Sequence, residues 1–468
     1  MNGTDRVPVL TVIGRVNEGK SSIVATLTEN ESVPISPEPG TTTRCHRYDL
    51  TVDGRLLFSI VDTPGFQQPE LMLAWMEQRA SSAAERPDAV RRFFEHYQGS
   101  GEFEDECELL KPILEGAHIL YVVDSSHPYR PNFEAEMEIL RWTGRPRMAL
   151  INRIGDEDYT SDWTRALGQY FNIVRIFDAH SLPFEDRIAL LTTLKEIDPE
   201  LAGALANIIR ALTDLHETRI RDSSRVIARL IADSLTFTVQ KDLPPERDRT
   251  ETERMLLADY QDGLRRLEER ARRDIQTIFR YEKLERREDP VGRPVYSEDL
   301  FAEVTWRMLG LSTARLITMG TLTTAAVGGG IDLAVGGHSL MAGTLIGGII
   351  GALSTGYAAY RSPEARVLGQ AIAGKVLRVG PNRNPRLGWI ILDRALLHYA
   401  AVSNRTHAQR DPLDLDAQKG KTGIVAGFSQ HLSRDLSSML SKVSRPYGSE
   451  VAESELADRI SEVLKTIG

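Results

Sequence analysis

Gly14-Arg15-Val16-Asn17-Glu18-Gly19-Lys20-Ser21 organises the first third of this chain. It fits G-x-x-x-x-G-K-[ST], the pattern of a phosphate-cradling loop, and its flanks are the ones that pattern requires. Before it, Val7–Ile13 is a short apolar run with β-branched residues, which reads as a buried strand. After it, Ser22-Ile23-Val24-Ala25-Thr26-Leu27 reads as the start of a helix. In such a turn the backbone N–H groups of Gly14 and of Asn17, Glu18, Gly19, Lys20, Ser21 and Ser22 face an anion, aided by the positive end of the helix. Lys20 reaches the β- and γ-phosphates and the Ser21 hydroxyl ligates magnesium. The stretch therefore predicts a nucleotide site.

Downstream, Val33 to Arg44 is rich in Pro, Ser, Thr and Gly, the composition of a loop. Two strand-like runs follow, His46–Val52 and Arg55–Val61, joined by Asp53-Gly54, a strong hairpin signal. The second ends in Asp62-Thr63-Pro64-Gly65. A carboxylate there, facing the phosphate loop, suits a magnesium shell reached through water, and Gly65 lets a backbone N–H approach the γ-phosphate. Helices are expected over Leu71–Ala84, Asp88–Tyr97, Cys107–Glu115, Asn132–Trp142 and Ser161–Tyr170. Strands are expected over Ala117–Val123, Arg147–Ile151 and Ile173–Phe177. Strands alternating with helices predict a three-layer α/β domain with a mostly parallel sheet, whose ligands gather at the carboxyl ends of the strands. Those ends carry Gly14, Asp62, Asn152 and Asp178-Ala179.

That set of motifs resembles the P-loop GTPase domains of the Era-like and TrmE-like branch over roughly the first 180–195 residues, an ordinary domain size. The loop is similar to that branch's Gly-Arg-Pro-Asn-Val-Gly-Lys-Ser. Gly40-Thr41-Thr42-Thr43-Arg44 resembles its switch I signature with one extra threonine, Asp62-Thr63-Pro64-Gly65 matches its third motif, and Asp178-Ala179-His180 resembles its last. The resemblance implies GTP and GDP as ligands with Mg2+ held by Ser21, Thr43 and, through water, Asp62. It implies Lys20, Thr43 and Gly65 as the catalytic set, with Thr42 as runner-up to Thr43. It implies Asn152, Arg153 and the Ala179 backbone at the base. One departure stands out. The base-reading motif Asn-Lys-x-Asp is here Asn152-Arg153-Ile154-Gly155, with Asp156 and Asp158 further on. GTP is the first expectation; ATP and relaxed specificity stay open. Where the family often has a water-positioning Gln, this chain has Phe66, with Gln67 and Gln68 out of register. In several relatives a potassium ion held by the loop Asn takes over, which implies a K+ site at Asn17; the alternative is a turn Asn bonding its own backbone. Slow intrinsic turnover, accelerated by homodimerisation or a partner, is the expectation.

The rest of the chain bears on where such a switch works. Ile197 to Arg307 is helical in pattern and highly charged, and its arginine concentrations at Arg219–Arg229 and Arg265–Arg273 read as solvated helix faces. Leu316–Ile331 carries no charge, and neither does Leu333–Tyr360, long enough to cross a hydrocarbon core of about 30 Å as a helix. Within it Ser339, Gly343, Gly347, Gly351 and Thr355 recur every four residues, a glycine-zipper pattern of membrane helix packing. Two readings follow: membrane association, which is favoured, and a buried hairpin in a soluble domain. Beyond Arg361 the strand candidates are Lys375–Val379 and Leu387–Leu392, and the helices Arg394–Ser403, His431–Val443 and Ala452–Ile467. His398, His407 and His431 read as surface residues.

The predicted organisation is a GTPase domain over 1–195, a charged helical region over 196–307, a glycine-rich apolar hairpin over 308–361 and an α/β or α domain over 362–468. A formal net charge of −9, a pI near 5.7 and the lack of a basic module with aromatic platforms argue against nucleic acid as a partner. Two cysteines exclude a disulfide scaffold. The opening residues lack a secretory pattern, so a cytoplasmic location is expected, peripheral or integral at the inner face of the membrane. Bacterial GTPases with an uncharacterised C-terminal domain are similar in layout. The expected partners are guanine nucleotide and a membrane lipid or membrane protein. The alternatives are a soluble ribosome- or RNA-associated GTPase and a nucleotide-binding scaffold that barely hydrolyses.

Overall fold

A computed structural model describes residues 7–35, 44–155, 157–178, 183–243, 249–281, 366–367, 370–371, 375–382, 385–409, 423–445 and 450–467. Thr43, Ala179, Asp156 and the whole of the glycine-rich segment 308–361 lie outside the described residues. The chain divides into two units, 1–217 with 404–410, and 218–403 with 411–468.

The first unit is built on six strands: β1 (Val9–Ile13), β2 (His46–Val52), β3 (Arg55–Asp62), β4 (His118–Asp124), β5 (Arg147–Asn152) and β6 (Val174–Phe177), in the order β2-β3-β1-β4-β5-β6. Only β2 runs antiparallel to its neighbour; the pairs β1–β3, β1–β4, β4–β5 and β5–β6 are parallel. The β2–β3 turn has the two positive φ values of a tight hairpin, 51° at Asp53 and 74° at Gly54. Side-chain alternation explains the layers. Leu10, Val12, Leu120, Val122, Met148 and Leu150 face one core with α1 (Lys20–Thr28), α7 (Phe184–Ile197) and the start of α8 (Ala202–Thr236). Ile13, Ile119, Tyr121, Val123, Ala149 and Ile151 face the other. That second core is covered by α2 (Pro69–Glu77), α3 (Arg86–Tyr97), α4 (Glu104–Leu114), α5 (Glu134–Trp142) and α6 (Thr160–Leu167). A parallel strand buried on both faces reads as a near-continuous apolar run, which is why these strands were legible. The helix expected over Leu71–Ala84 stops at Glu77, and a short 3-10 turn at Ala83–Glu85 leads into α3.

The second unit is mainly helical: the rest of α8, α9 (Arg249–Ile278), α10 (Pro385–Ser403), α11 (Gln430–Val443) and α12 (Glu450–Ile467) around one core. It also holds β7 (Val239–Leu243), the short pair β8 (Arg366–Val367) and β9 (Gln370–Ala371), and β10 (Lys375–Val379), which lies antiparallel to β7. Two expectations are corrected. The helical pattern from Ile197 to Arg307 is interrupted by β7, because a partner strand far away in sequence supplies its ladder. Leu387–Leu392 is not a strand but the first half of α10, which runs on through Arg394–Ser403. All six of those residues that lie between Leu387 and Leu392 are buried, and a run buried on every side has no period to separate helix from strand. Pro385 begins that helix, where its missing N–H costs nothing. Among the described residues no helix is long and apolar enough to cross a membrane.

Candidate functional site

The phosphate loop leaves β1 at Ile13 and re-enters the fold as α1 at Lys20. Asn17 and Gly19 both take left-handed backbone, φ 68° and 85°, so the chain curls and points successive N–H groups inward. Gly19 is required twice over, since a Cβ there would stand 2.2 Å from Asn152 Nδ2. Asn17 itself is exposed. Lys20 is buried and donates from Nζ to the Arg15 carbonyl at 2.8 Å, crossing the mouth of the loop. Burial lowers its pKa, against the opposing pull of Asp62, Glu18 and Glu136. Ser21 Oγ donates to Asp62 Oδ2 at 2.8 Å, so the two predicted magnesium-shell residues meet where the start of α1 faces the end of β3. A buried carboxylate beside a hydroxyl is a hard-oxygen donor set that suits Mg2+. Thr63 Oγ1 bonds the Val12 carbonyl at 2.8 Å and fixes the turn after β3, and a Cβ on Gly65 would lie only 3.0 Å from the Gly14 carbonyl oxygen. Ser21 thus meets Asp62, and Gly65 approaches Gly14, while Ser22 is buried on α1.

The base side is assembled from the ends of β4 and β5. Asn152 is buried, and its Nδ2 donates to the Glu18 carbonyl at 3.2 Å, tying the base loop to the phosphate loop. Arg153 is exposed and lies 3.8 Å from Asp158. Asp158, a candidate to replace the missing base-reading carboxylate, instead accepts the Thr160 N–H at 3.0 Å at the start of α6. Its hydrogen bonds to Thr160, with Arg153 nearby, hold its carboxyl below the usual range. Asp124 ends β4 and accepts from Ser126 N at 2.9 Å, from Ser126 Oγ at 2.6 Å and from Ile154 N at 3.3 Å.

Three buried acids of the first unit escaped the sequence reading as acids. Glu18 was expected only to offer its backbone. Its carboxyl is buried and accepts the Asp124 N–H, and burial, with Asp124 and Glu136 close by, pushes its pKa up to about 8. The one available signal was an acid where the similar motif has Val. Glu136 on α5 accepts from Arg15 Nε and from Tyr121 OH at 3.0 Å, and burial still holds its pKa above the ordinary value. Glu106 on α4 accepts the backbone N–H groups of Gln67 and Gln68 at 2.8 and 2.6 Å, just ahead of α2. Phe66 is buried in the core beneath α2, so the slot of the water-positioning Gln holds a packing residue.

Outside the loop, the described residues hold no cluster of metal-ligating side chains. In the second unit Glu268 bridges Arg272 at 2.5 Å and Arg394 at 2.7 Å. Burial opposes the charge, but the two guanidinium groups win and hold Glu268 at about 2. The arginine concentrations are partly as expected: Arg225 and Arg229 pair with Asp222 and Asp233 on their own exposed face, whereas Arg219 is buried. The histidines are corrected: His431 is exposed, but His398 and His407 are buried, because the helices and loops that carry them pack inward. Burial pushes the Cys45 and Cys107 thiols up to about 12 and 11, so neither is a reactive thiolate near neutral pH.

Comparison with known proteins accords with this geometry. The sequence matches the family described as a domain of unknown function, DUF3482, over residues 164–464, and the family described as 50S ribosome-binding GTPase over residues 9–153. GTPase Der of Streptomyces coelicolor is 27% identical over 172 residues, 36% of this chain and 30% of that protein. GTPase Der of Myxococcus xanthus is 25% identical over 283 residues, 57% of this chain and 54% of that protein. The chain thus spans about a third to a half of the length of these relatives. Among solved structures, a point variant of Aquifex aeolicus Era bound to GDP·AlF4− is 16% identical, covering 58% of this chain and 89% of that one, with a TM-score of 0.29.

Proposed function

The chain belongs to the DUF3482 family, with a P-loop GTPase domain of the Era/Der type ahead of that region, and on this premise we propose that it is a GTP-hydrolysing switch. One observation carries the reading: Ser21 meets Asp62 across the loop, Lys20 closes the loop on the Arg15 carbonyl, and Asn152 reaches back to the Glu18 carbonyl. In this reading Lys20 neutralises charge on the β- and γ-phosphates, and Ser21, Thr43 and, through water, Asp62 would hold magnesium, which would supply further charge neutralisation. Gly65 offers its N–H to the γ-phosphate, so that loss of the phosphate releases the segment leading to α2. Turnover is slow because Phe66 is packed into the core and orients no water. In the same reading Asn17, exposed in left-handed backbone on the loop, takes a K+ ion that substitutes for an arginine finger.

The site of action we propose is a lipid membrane, reached through the charge-free runs Leu316–Ile331 and Leu333–Tyr360 with their small residues every four positions. The match to a family described as 50S ribosome-binding GTPase favours a second reading, a ribosome-associated switch. Co-sedimentation of the full chain with liposomes or with ribosomes separates the two. The primary test is nucleotide identity in the purified protein, followed by single-turnover GTP hydrolysis in K+ and in Na+ with Lys20→Ala as control. Tight GDP or GTP and hydrolysis lost in the variant support the switch; turnover unchanged in the variant overturns it. Equal rates in K+ and Na+ remove the role given to Asn17.

A further inference from the structure

We infer that α4 is a brace that positions both stretches flanking the γ-phosphate, with Glu106 setting the stretch that leaves β3 and Glu108 the stretch that enters β2. The assignment rests on the GTP-hydrolysing reading above and adds two positioning residues to it. Glu106 and Glu108 stand two positions apart on α4, about 200° round its axis, so their side chains serve different neighbours. The Glu106 carboxylate accepts the Gln67 and Gln68 N–H groups at 2.8 and 2.6 Å. Glu108 holds Cys45 twice: Oε2 accepts the Cys45 N–H at 3.2 Å, and the Glu108 carbonyl accepts the Cys45 thiol at 3.0 Å. Pro112 explains why a carbonyl inside a helix is open to a thiol. The α-helical partner of the Glu108 carbonyl would be the N–H at position 112, which proline lacks.

The two gripped stretches lie at one end of the β2–β3 hairpin. His46, the first residue of β2, pairs with Asp62, the last of β3. That is the end at which Asp62 accepts from Ser21. In sequence Gly40–Arg44 runs straight into Cys45, and Asp62–Gly65 into Phe66 and Gln67. Helix α4 therefore grips each stretch two residues from Thr43 and from Gly65, the groups given to magnesium and to the γ-phosphate. The helix itself is fixed, since Leu109, Leu110 and Ile113 are fully buried in the core that also holds Phe66. Glu106 is buried with them, and a carboxylate accepting backbone N–H groups makes short, strong bonds. Two stretches held by one packed helix keep their spacing, so a displacement of either is felt at the other.

Hydrogen exchange and single-turnover GTP hydrolysis on the full chain test this. Glu108→Ala is expected to speed exchange at Cys45 and also, by about threefold or more, at Gln67 and Gln68, to which Glu108 makes no bond. Glu106→Ala should do the converse at Cys45. Glu106→Ala is expected to slow hydrolysis about tenfold while GDP affinity stays within about threefold. Glu106→Gln, whose carboxamide oxygen still accepts both N–H groups, should recover most of that rate. The double variant with both alanines is expected to be no slower than the slower single within about threefold, since either loss already undoes the brace. Exchange raised across the whole first unit, β4 amides included, marks a folding defect in Glu106→Ala; Glu108→Ala, at a partly exposed position, then carries the test. Exchange that changes only at the stretch directly released, or rate losses that multiply in the double variant, overturns the brace and leaves the GTP switch standing. A wild type that binds no guanine nucleotide overturns the switch itself, and the positioning roles with it.

Discussion

Arg15 and Glu136 join the second residue of the phosphate loop to α5 by an ion pair whose carboxylate is buried and whose guanidinium is partly exposed. The guanidinium also lies 3.8 Å over the Phe133 ring and donates to the Asn132 carbonyl at 2.7 Å. The loop is thereby pinned from outside its own motif. Removing one partner of a buried pair is costly because the other charge stays behind. Arg15→Ala is expected to destabilise the first unit by about 2–4 kcal/mol in urea unfolding. Adding Glu136→Gln is expected to recover more than half of that. Equal losses in the single and double variants would contradict the pairing.

Glu18 gives the first unit a stability slope with pH. Its pKa is about 8 in the fold against an ordinary 4.5, so the folded chain keeps a proton that the unfolded chain gives up. That contribution is present in full below about 4.5 and is lost as pH rises to about 8. Glu18→Gln keeps an acceptor for the Asp124 N–H and carries no charge. The melting temperature of the variant should equal the parent's near pH 4.5 and exceed it increasingly toward pH 8. A gap that stays constant over this range would show that Glu18 does not titrate there.

Glu268 should produce the opposite slope in the second unit. Its folded pKa of about 2 lies below the ordinary 4.5, so its contribution is present above 4.5 and is lost as pH falls toward 2. Glu268→Gln leaves Arg272 and Arg394 facing a neutral group and should cost about 3 kcal/mol at pH 7. The cost should shrink as both proteins are acidified. Circular dichroism melts of parent and variant between pH 3 and 7 read this directly.

Glu106 holds Gln67 and Gln68 through their backbone N–H groups at the entry to α2. Glu106→Ala removes a charged acceptor from both amides. Hydrogen exchange at these two amides is expected to speed up about tenfold or more, with GDP affinity little changed, because the phosphate loop lies elsewhere. Unchanged exchange would mean that α2, rather than Glu106, orders this segment.

The phosphate loop, the Asp53-Gly54 hairpin and the strand–helix alternation could be read from residue order because each obeys a local rule: a motif, a turn that needs positive φ, a period. Asp62 and Asn152 were legible for the same reason, since they stand at strand ends beside recognisable motifs. Long-range pairing was not legible. Nothing near β7 announces β10, and nothing within Leu387–Leu392 separates a buried helix from a strand, because burial on all sides erases the period. The acids Glu18, Glu106 and Glu136 look like surface residues in a charged chain. Only the packing of α4, α5 and the end of β4 in the folded unit turns them inward, and burial then changes their proton affinity or fixes their partners. Gly155 was visible as a missing carboxylate. That a Cβ on Gly155 would come within 3.0 Å of the Cβ of Ser126, 29 residues earlier, is a statement about three-dimensional distance, which residue order does not contain.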